Sequence, residues 1–297
     1  MKKYYDRVSI SGRFNNIIFR FLNLKKNFIS TRNTSKYIKK LSTKIIYNLP
    51  RKMGFKFLEY NGMNIYTFNG NLNLKNRRVI LYLHGGSFIS EANRYQLNFM
   101  KKISILTDST LVFPVYPLSP RNNYKKCFEL LDDLYEKILK NTNNINFIGD
   151  SCGGSMAISF SMYLRDNKKM CPHNIIILSP CMDYTFTNSK INNYEKIDRC
   201  LSTTGISYVA NIWSDADPNN YLVSPIYGDF NNIGLLSIFT SGCEIFNPDC
   251  HKVVSKLDKE KIKYNFYEFK NMQHNFMLFP SKESKLVINE IVNIINQ

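Results

Sequence analysis

Gly149-Asp150-Ser151-Cys152-Gly153 follows directly on the apolar run Ile145-Asn146-Phe147-Ile148. A serine between two glycines, placed where a buried strand gives way to a helix, is typical of a sharp turn that projects the hydroxyl above the edge of a sheet. Glycine suits the flanking positions because strand and helix pass close to each other there. Ser151 is therefore the candidate nucleophile, although an ordinary glycine-rich turn would carry the same five residues.

A second glycine-rich stretch also follows a buried strand. The run Val79–Leu83 leads directly into His84-Gly85-Gly86-Ser87-Phe88. Acyl transfer needs backbone N–H groups that point at the oxygen on which negative charge develops, and glycines let the backbone come close to a substrate. The sequence therefore predicts an oxyanion hole built from Gly85, Gly86 and Cys152.

The general base is expected among four histidines. His84 belongs to the glycine stretch, His173 follows a proline in a loop, and His251 falls within a predicted helix. His274 comes just after the alternating strand Lys263–Phe269, so its loop leaves the edge of the sheet that also presents the serine. We therefore predict His274 as the base, although a loop histidine is commonly a solvated surface residue.

A third residue must hold the imidazole in one tautomer, and the expected chain order is serine, acid, histidine. The segment after the apolar strand Leu235–Thr240 offers two carboxylates, Glu244 and Asp249. Asn247-Pro248-Asp249 has the composition of a helix start with asparagine as the N-cap, which is a sufficient structural reason for Asp249. We therefore predict Glu244 as the acid, with Asp249 as the second choice and Asp183 as a displaced third.

These residues resemble the hormone-sensitive-lipase-like branch of the α/β-hydrolase superfamily, whose esterases and acetyl-hydrolases carry H-G-G-G and G-D-S-A-G-G motifs. The similarity spans roughly residues 55 to 297 and includes Tyr116-Pro117-Leu118-Ser119-Pro120, Ser179-Pro180-Cys181-Met182-Asp183 and Ser224-Pro225-Ile226-Tyr227. The resemblance makes Glu244 the counterpart of the acid of the family.

Three positions depart from the family pattern. Ser87 replaces the third glycine, Cys152 replaces the alanine after the nucleophile, and Glu244 stands where many members carry aspartate. Oxyanion donors are backbone N–H groups, so Ser87 adds a donor if its dihedral angles permit. None of the three changes removes a required group.

Alternating strands and helices predict a doubly wound, mostly parallel α/β sheet, with eight strands, and the resemblance implies a helical cap. A chain of 297 residues, 44% of them hydrophobic, can bury such a core as one catalytic domain over residues 55–297. The stretch 184–223 has no strand pattern and is expected to be an insertion that forms part of the cap. Within it, Tyr208, Trp213 and Tyr221 either belong to the core or line the pocket.

The predicted strands are Phe55–Tyr60, Met63–Phe68, Val79–Leu83, Thr110–Tyr116, Ile145–Ile148, Ile175–Leu178, Leu235–Thr240 and Lys263–Phe269, the first two joined in a hairpin by Asn61-Gly62. The predicted helices are Asn93–Thr107, Tyr124–Lys140, Cys152–Arg165, Asp249–Glu260 and Ser281–Ile295.

Residues 1–54, which we call the N-terminal arm, differ sharply in charge from the rest of the chain. Residues 1–56 carry fifteen Lys or Arg against one acid, Asp6, and so hold most of the formal net charge of +17. The preferred interpretation packs two amphipathic helices of the arm on the catalytic domain as part of the cap, while the alternative is reversible contact of residues 1–56 with an anionic membrane surface. No nucleic-acid-binding motif accompanies the charge, which argues against that class of partner. The apolar faces are expected to consist of Phe14, Ile17, Ile18, Phe21, Leu22 and Phe28 in one helix and of Tyr37, Ile38, Leu41, Ile45 and Ile46 in the other.

The predicted function is hydrolysis of a small or short-acyl carboxylic ester by a Ser-His-Glu/Asp triad through an acyl-enzyme. Two alternatives stay open, a non-catalytic small-molecule receptor on the same fold and a membrane-associated lipid esterase. No cofactor and no metal is expected, since the seven cysteines form no C-x-x-C pair. Without a convincing signal peptide or transmembrane stretch the chain is predicted to be cytoplasmic, and the sequence does not fix its oligomeric state.

Overall fold

The apolar runs of the sequence pair into a single sheet. The structure is a computed structural model that describes residues 1–42, 49–72 and 77–297. Within these ranges the strands are β1 (Lys2–Tyr5), β2 (Lys56–Tyr60), β3 (Met63–Phe68), β4 (Val79–Leu83), β5 (Thr110–Pro114), β6 (Ile145–Asp150), β7 (Asn174–Leu178), β8 (Leu235–Ser241) and β9 (Tyr264–Phe269). Their order across the sheet is β1-β9-β8-β7-β6-β4-β5-β3-β2.

The sheet is mostly parallel, as predicted. In the order across the sheet, neighbouring strands run parallel from β1 as far as β5. At the far edge, β3 is antiparallel to β5 and β2 is antiparallel to β3. The predicted hairpin between β2 and β3 forms, with Asn61 and Gly62 at φ angles of 48° and 76°. All five residues of β4 and all six of β6 are buried, as expected for central strands covered on both faces.

The sheet has one strand more than the eight that the sequence predicted. β1 lies at the edge, parallel to β9, and contains Lys2 and Lys3, which do not resemble a buried strand. Tertiary contacts supply its stability, because Tyr5 stacks on Phe269 with 4.3 Å between ring centroids and Lys3 Nζ lies 2.6 Å from Glu290 Oε1. Lysine is common on exposed edge strands, where its charge opposes pairing with another chain.

The five predicted helices form with ends within two residues of the predicted ones. In chain order the α-helices are α1 (Ile10–Leu22), α2 (Thr31–Ser42), α3 (Leu49–Lys52), α4 (Arg94–Leu106), α5 (Tyr124–Leu139), α6 (Cys152–Asp166), α7 (Ile191–Glu195), α8 (Thr203–Trp213), α9 (Asn247–Lys259) and α10 (Lys282–Asn296). Asn247 is not the N-cap of α9, which is Phe246. The buried Asn247 amide instead donates to Glu268 Oε1 at 3.1 Å, and this contact explains the asparagine.

The insertion after β7 carries the helices α7 and α8. Trp213, at the end of α8, is buried and stacks on Phe88 with 4.2 Å between ring centroids. Neither Trp213 nor Tyr208 nor Tyr221 lines the cavity beside Ser151. Of the two alternatives for these aromatic residues, the structure therefore favours packing.

The N-terminal arm packs against the body of the protein, but α1 is oriented differently from its predicted amphipathic face. Gly12, Asn15 and Phe19 are its buried residues. The predicted face is largely outside, since Phe14 is 62% exposed and Phe21 is 82% exposed. In α2, Ile38 is buried as predicted and Tyr37 and Leu41 pack against the core. Ile45 and Ile46 lie outside the described residues.

Candidate active site

Ser151 lies in the tight turn that joins β6 to α6. Its φ and ψ angles are 53° and −124°. Residues other than glycine rarely adopt this backbone conformation, which is typical of a strained nucleophile turn. Its N–H donates to the Leu178 carbonyl at 2.7 Å. A Cβ on Gly153 would stand 2.0 Å from the Leu83 carbonyl oxygen, so only glycine lets α6 approach β4 this closely.

The structure brings Ser151, His274 and Glu244 together at the carboxyl edge of the sheet. His274 Nε2 lies 3.1 Å from Ser151 Oγ, and His274 Nδ1 lies 2.6 Å from Glu244 Oε2. The three residues follow β6, β9 and β8, which end at the same edge because these strands are parallel. All three are buried, and Glu244 is fully enclosed.

Glu244 is held on both of its oxygens. While Oε2 faces the imidazole, Oε1 accepts hydrogen bonds from Thr240 Oγ1 and from the Ser241 N–H, each at 2.8 Å. A buried carboxylate needs such donors, since an unpaired charge in the interior is costly. The acid loop therefore presents Glu244 in one orientation.

The two other candidate acids, Asp249 and Asp183, form hydrogen bonds with residues other than His274. Asp249, in the first turn of α9, accepts from the Asn188 amide at 2.8 Å. Asp183 accepts from Thr185 Oγ1 at 2.6 Å and from Tyr227 Oη at 3.1 Å. Of the three predicted acids, only Glu244 contacts the imidazole of His274.

Burial and charge act in opposite directions on His274. Burial alone would lower the pKa of the imidazole, but the hydrogen bond to Glu244 and the charges of Glu244, Asp198 and Asp150 outweigh it and raise this pKa above its usual value. The imidazolium that forms when a serine gives up its proton is thus stabilised by neighbouring carboxylates.

The oxyanion prediction needs one correction. The N–H of Gly85 donates to Asp150 Oδ1 at 2.9 Å and so points away from an incoming carbonyl. Gly86 and Ser87 line the cavity beside Ser151, with φ angles of 136° and 53°. The N–H groups of Gly86, Ser87 and Cys152 are therefore the candidate donors.

The cysteine that replaces the usual alanine is a packing residue. Cys152 Sγ accepts a hydrogen bond from the Phe88 N–H at 3.3 Å and so joins the nucleophile turn to the glycine stretch. Burial raises the pKa of Cys152 to about 12, which keeps the thiol protonated and unreactive near neutral pH.

Asp150 joins three elements behind the nucleophile, a role that its place inside the serine motif did not reveal. Its fully buried carboxylate accepts from the Gly85 N–H, from Tyr82 Oη at 2.5 Å and from Gln96 Nε2 at 3.0 Å. It also accepts from Asn275 Nδ2 at 2.9 Å, beside the predicted base. Asp150 thereby fixes the glycine stretch and the histidine loop relative to Ser151.

A second buried carboxylate, Asp198, supports the acid loop from the insertion. Asp198 Oδ2 accepts from the N–H of Ile245, the residue after Glu244, at 2.9 Å. Its Oδ1 accepts from the N–H groups of Cys200 and Leu201 at 2.7 and 2.9 Å. Burial raises the pKa of Asp198 to about 6. No sequence signal pointed to this residue, because its role depends on contacts between distant segments.

The N-terminal arm reaches the same network through Lys25. Lys25 Nζ donates to the carbonyl of Glu195 and to the carbonyl of Asp198, and it lies 3.3 Å from Glu195 Oε1. The Lys25 N–H also donates to the Arg199 carbonyl at 3.3 Å. A single lysine thus connects the arm to the segment that supports the acid loop.

A cavity of about 180 Å³ opens beside Ser151 and His274. Residues of the N-terminal arm form one wall, and the glycine stretch forms part of the other. The arm residues that line it are Phe19, Leu24, Asn27, Phe28 and Tyr37. The cavity is therefore mostly apolar on the arm side, with the polar groups concentrated at the serine.

Comparison with known proteins agrees with this architecture. The model of a protein family with the alpha/beta hydrolase fold matches residues 80–278 of this chain. An esterase from Acinetobacter venetianus is 25% identical over 209 residues, which are 68% of this chain and 68% of that protein. Among solved structures, an esterase from the bacterial hormone-sensitive lipase family has a TM-score of 0.81 at 18% identity, covering 97% of this chain and 98% of that chain. The esterase EstE5, solved after soaking with p-nitrophenyl butyrate, has the same TM-score at 19% identity and the same coverage. These matches confirm the resemblance that the two glycine motifs predicted, and the chain belongs to the α/β-hydrolase fold family.

Proposed function

We propose that this chain is a serine carboxylic-ester hydrolase that acts on small or short-acyl esters. The observation that carries the proposal is the continuous contact from Glu244 Oε2 through His274 to Ser151 Oγ, with distances of 2.6 and 3.1 Å. Nucleophile, base and acid stand in the order and at the separations that acyl transfer needs. The relatives named as esterases support the same class of reaction.

The reaction begins at Ser151. Its Oγ attacks the ester carbonyl carbon while its proton passes to His274 Nε2, and the carbonyl electron pair moves onto oxygen. Glu244 holds His274 with Nδ1 towards the carboxylate and stabilises the imidazolium. The N–H groups of Gly86, Ser87 and Cys152 receive the oxyanion, because backbone donors already in place need no reorganisation.

Two further steps complete the cycle. The tetrahedral intermediate collapses, the bond to the alkoxy oxygen breaks, and His274 gives its proton to the departing alcohol. Water then attacks the acyl-Ser151 carbonyl and passes a proton to His274. The second collapse releases the acid and returns that proton to Ser151 Oγ.

The size of the cavity favours short acyl chains. Its volume of about 180 Å³ is small beside the ~300–1,000 Å³ of pockets that enclose drug-sized ligands. The N-terminal arm and the insertion 184–223 together form the proposed cap over the serine. We therefore propose acyl groups of about two to six carbons, of the kind represented by the butyrate ester soaked into EstE5.

A series of p-nitrophenyl esters with increasing acyl length tests the proposal. The intact chain should show its highest kcat/KM between acetate and hexanoate, and Ser151→Ala should lower kcat by at least about 10⁴-fold. A folded chain that hydrolyses none of these esters would contradict the proposed function. Faster hydrolysis of long-chain emulsions than of butyrate would contradict the proposed substrate size alone.

A further inference from the structure

Helix α1 is buried on one face and carries exposed apolar side chains on the opposite face. Its inner face, made of Gly12, Asn15 and Phe19, is buried against the protein. The opposite face bears the four residues that we call the outer stripe, with exposed fractions that are large for apolar side chains. They are Ile10 (87%), Phe14 (62%), Ile17 (51%) and Phe21 (82%).

The spacing of the outer stripe places its members in a single row. Positions 10, 14, 17 and 21 recur every three or four residues, so at about 100° per residue they lie along one side of the helix. The buried positions 12, 15 and 19 fall on the reverse side. A contiguous exposed apolar row of this kind marks an interaction surface rather than scattered surface hydrophobics.

Positive charge lies along one side of the outer stripe. Arg13 and Arg20 are exposed and lie next to the stripe on the helix, one near each end. The sequence contains no Asp or Glu between Asp6 and Glu59, while residues 7–42 contain nine Lys or Arg. The surface that the stripe presents is therefore apolar along its centre and cationic at its margin.

We propose that α1 binds the chain peripherally to an anionic membrane surface, with the outer stripe in the interfacial region and Arg13 and Arg20 at the headgroups. An apolar row beside basic residues is the arrangement of interfacial helices. A second copy of the chain suits this face less well, because pairing two copies through the stripe would bring arginines of like charge together. Among the described residues no helix is both long and apolar enough to span a membrane.

The position of α1 links this surface to the cavity. Phe19, on the inner face of the helix, lines the cavity beside Ser151. Leu24, just after the helix, also lines the cavity and is 37% exposed. A membrane that contacts the outer stripe would therefore lie one helix away from the proposed catalytic serine. The binding itself does not depend on the proposed hydrolysis.

Cosedimentation with vesicles tests the inference. The intact chain should bind vesicles of phosphatidylcholine containing 30% phosphatidylserine at 0.1 M NaCl, and binding should weaken strongly at 0.5 M NaCl. The double variant Phe14→Gln/Phe21→Gln should bind at least about tenfold more weakly, because it loses the two aromatic rings that enter the membrane interface. Arg13→Gln/Arg20→Gln should weaken binding by about thirtyfold at the lower salt concentration.

Matched variants elsewhere supply the controls. Ile105 and Leu106 are 60% and 55% exposed at the end of α4, so Ile105→Gln/Leu106→Gln removes comparable apolar surface away from the stripe. Lys137→Gln/Lys140→Gln removes two exposed positive charges from α5 and its C-cap. Both control variants should bind vesicles as the intact chain does.

Three results would overturn the inference. The first is equal sedimentation with anionic and with pure phosphatidylcholine vesicles, or none with either. The second is unchanged binding by the Phe14→Gln/Phe21→Gln variant whose thermal unfolding is also unchanged. The third is a concentration-dependent dimer, measured by ultracentrifugation, that this variant abolishes, since that would assign the outer stripe to a second copy.

Discussion

The carboxyl edge of the sheet and the N-terminal arm form opposite walls of one cavity, but different interactions hold them. Along the sheet edge, Ser151, Glu244 and His274 each follow a buried strand, so the backbone pairing of the sheet sets their separations. Strand β1 of the arm pairs with β9. Beyond β1 the arm is held mainly by contacts with the side chains of distant residues, since the Ser9 N–H and hydroxyl both donate to Glu283 and the Asn16 amide donates to the Asn271 carbonyl. The separations of the proposed catalytic residues thus depend on the paired strands, and the shape of the cavity depends also on the arm.

The largest effect is expected from a change of a side chain on the sheet edge. Glu244→Gln keeps the size of the side chain but removes the charge that orients and stabilises His274. We expect kcat to fall by about 10³–10⁵-fold, as loss of the carboxylate disfavours the required tautomer. Steady-state kinetics with p-nitrophenyl butyrate measures the loss.

Asp249→Asn is the matched control for that experiment. Asp249 is also buried, and its pKa is raised to about 6 by burial, but it binds Asn188 rather than His274. Its substitution should change thermal stability and leave kcat within about tenfold of the intact chain. If Asp249→Asn instead shows the larger loss of kcat, the assignment of the acid is wrong.

The contrast between the two walls also explains what the sequence could reveal. The nucleophile turn, the glycine stretch and the histidine loop are local patterns, each attached to a strand with a clear apolar run or alternation, and the sheet was predicted from those strand patterns. β1 was missed because Lys2-Lys3 does not resemble a buried strand, and β1 is stabilised by contacts with β9 and α10. The inner face of α1 was misjudged because Gly12 and Asn15 pack where the periodicity favoured Phe14 and Ile17.

Residues that act through contacts between distant segments were also beyond sequence reasoning. Asp198 lies in an insertion without a recognisable motif. Its carboxylate supports the acid loop only because the fold brings the N–H of Ile245 within hydrogen-bond distance of Oδ2. Gly85 was predicted as an oxyanion donor because the motif alone does not show that its N–H is already bound to Asp150.

A change in the arm should have a smaller effect on catalysis. Lys25→Met removes the ammonium group that binds Glu195 and the Asp198 carbonyl while keeping an unbranched side chain. Unsatisfied partners should lower the free energy of unfolding by about 1–3 kcal/mol. We expect kcat/KM to fall about threefold to tenfold, mainly through KM, because the arm lines the cavity but does not touch the proton path.

Lys26→Met provides the comparison for Lys25→Met, since Lys26 is the exposed neighbour in the same turn. Chemical denaturation and steady-state kinetics of both variants separate the two positions. Equal changes in the two variants would show that Lys25 does not anchor the arm.

The smallest expected effect is on the pH dependence of the reaction. The base must be neutral to accept the proton of Ser151, so kcat/KM falls as pH drops through the pKa of His274. The charge of Asp198 helps to raise that pKa, and Asp198 is itself ionised above a pKa of about 6. In Asp198→Asn the acid limb of the kcat/KM profile should therefore move to lower pH, with a loss of only a few-fold at the plateau.

Asp183→Asn is the corresponding control for the pH profile, because Asp183 is equally buried but binds Thr185 and Tyr227. Its acid limb should coincide with that of the intact chain. An unshifted acid limb in Asp198→Asn, or an equal shift in both variants, would show that the charge of Asp198 does not specifically raise the pKa of His274.

Covalent labelling tests whether Ser151 is an activated nucleophile. A fluorophosphonate should react with the folded chain at one site, and mass spectrometry of the digested adduct should place the label on Ser151. Labelling should be lost in His274→Ala and retained in Cys152→Ala. An adduct on any other residue, or none on the folded chain, would show that Ser151 is not an activated nucleophile and would favour the receptor alternative.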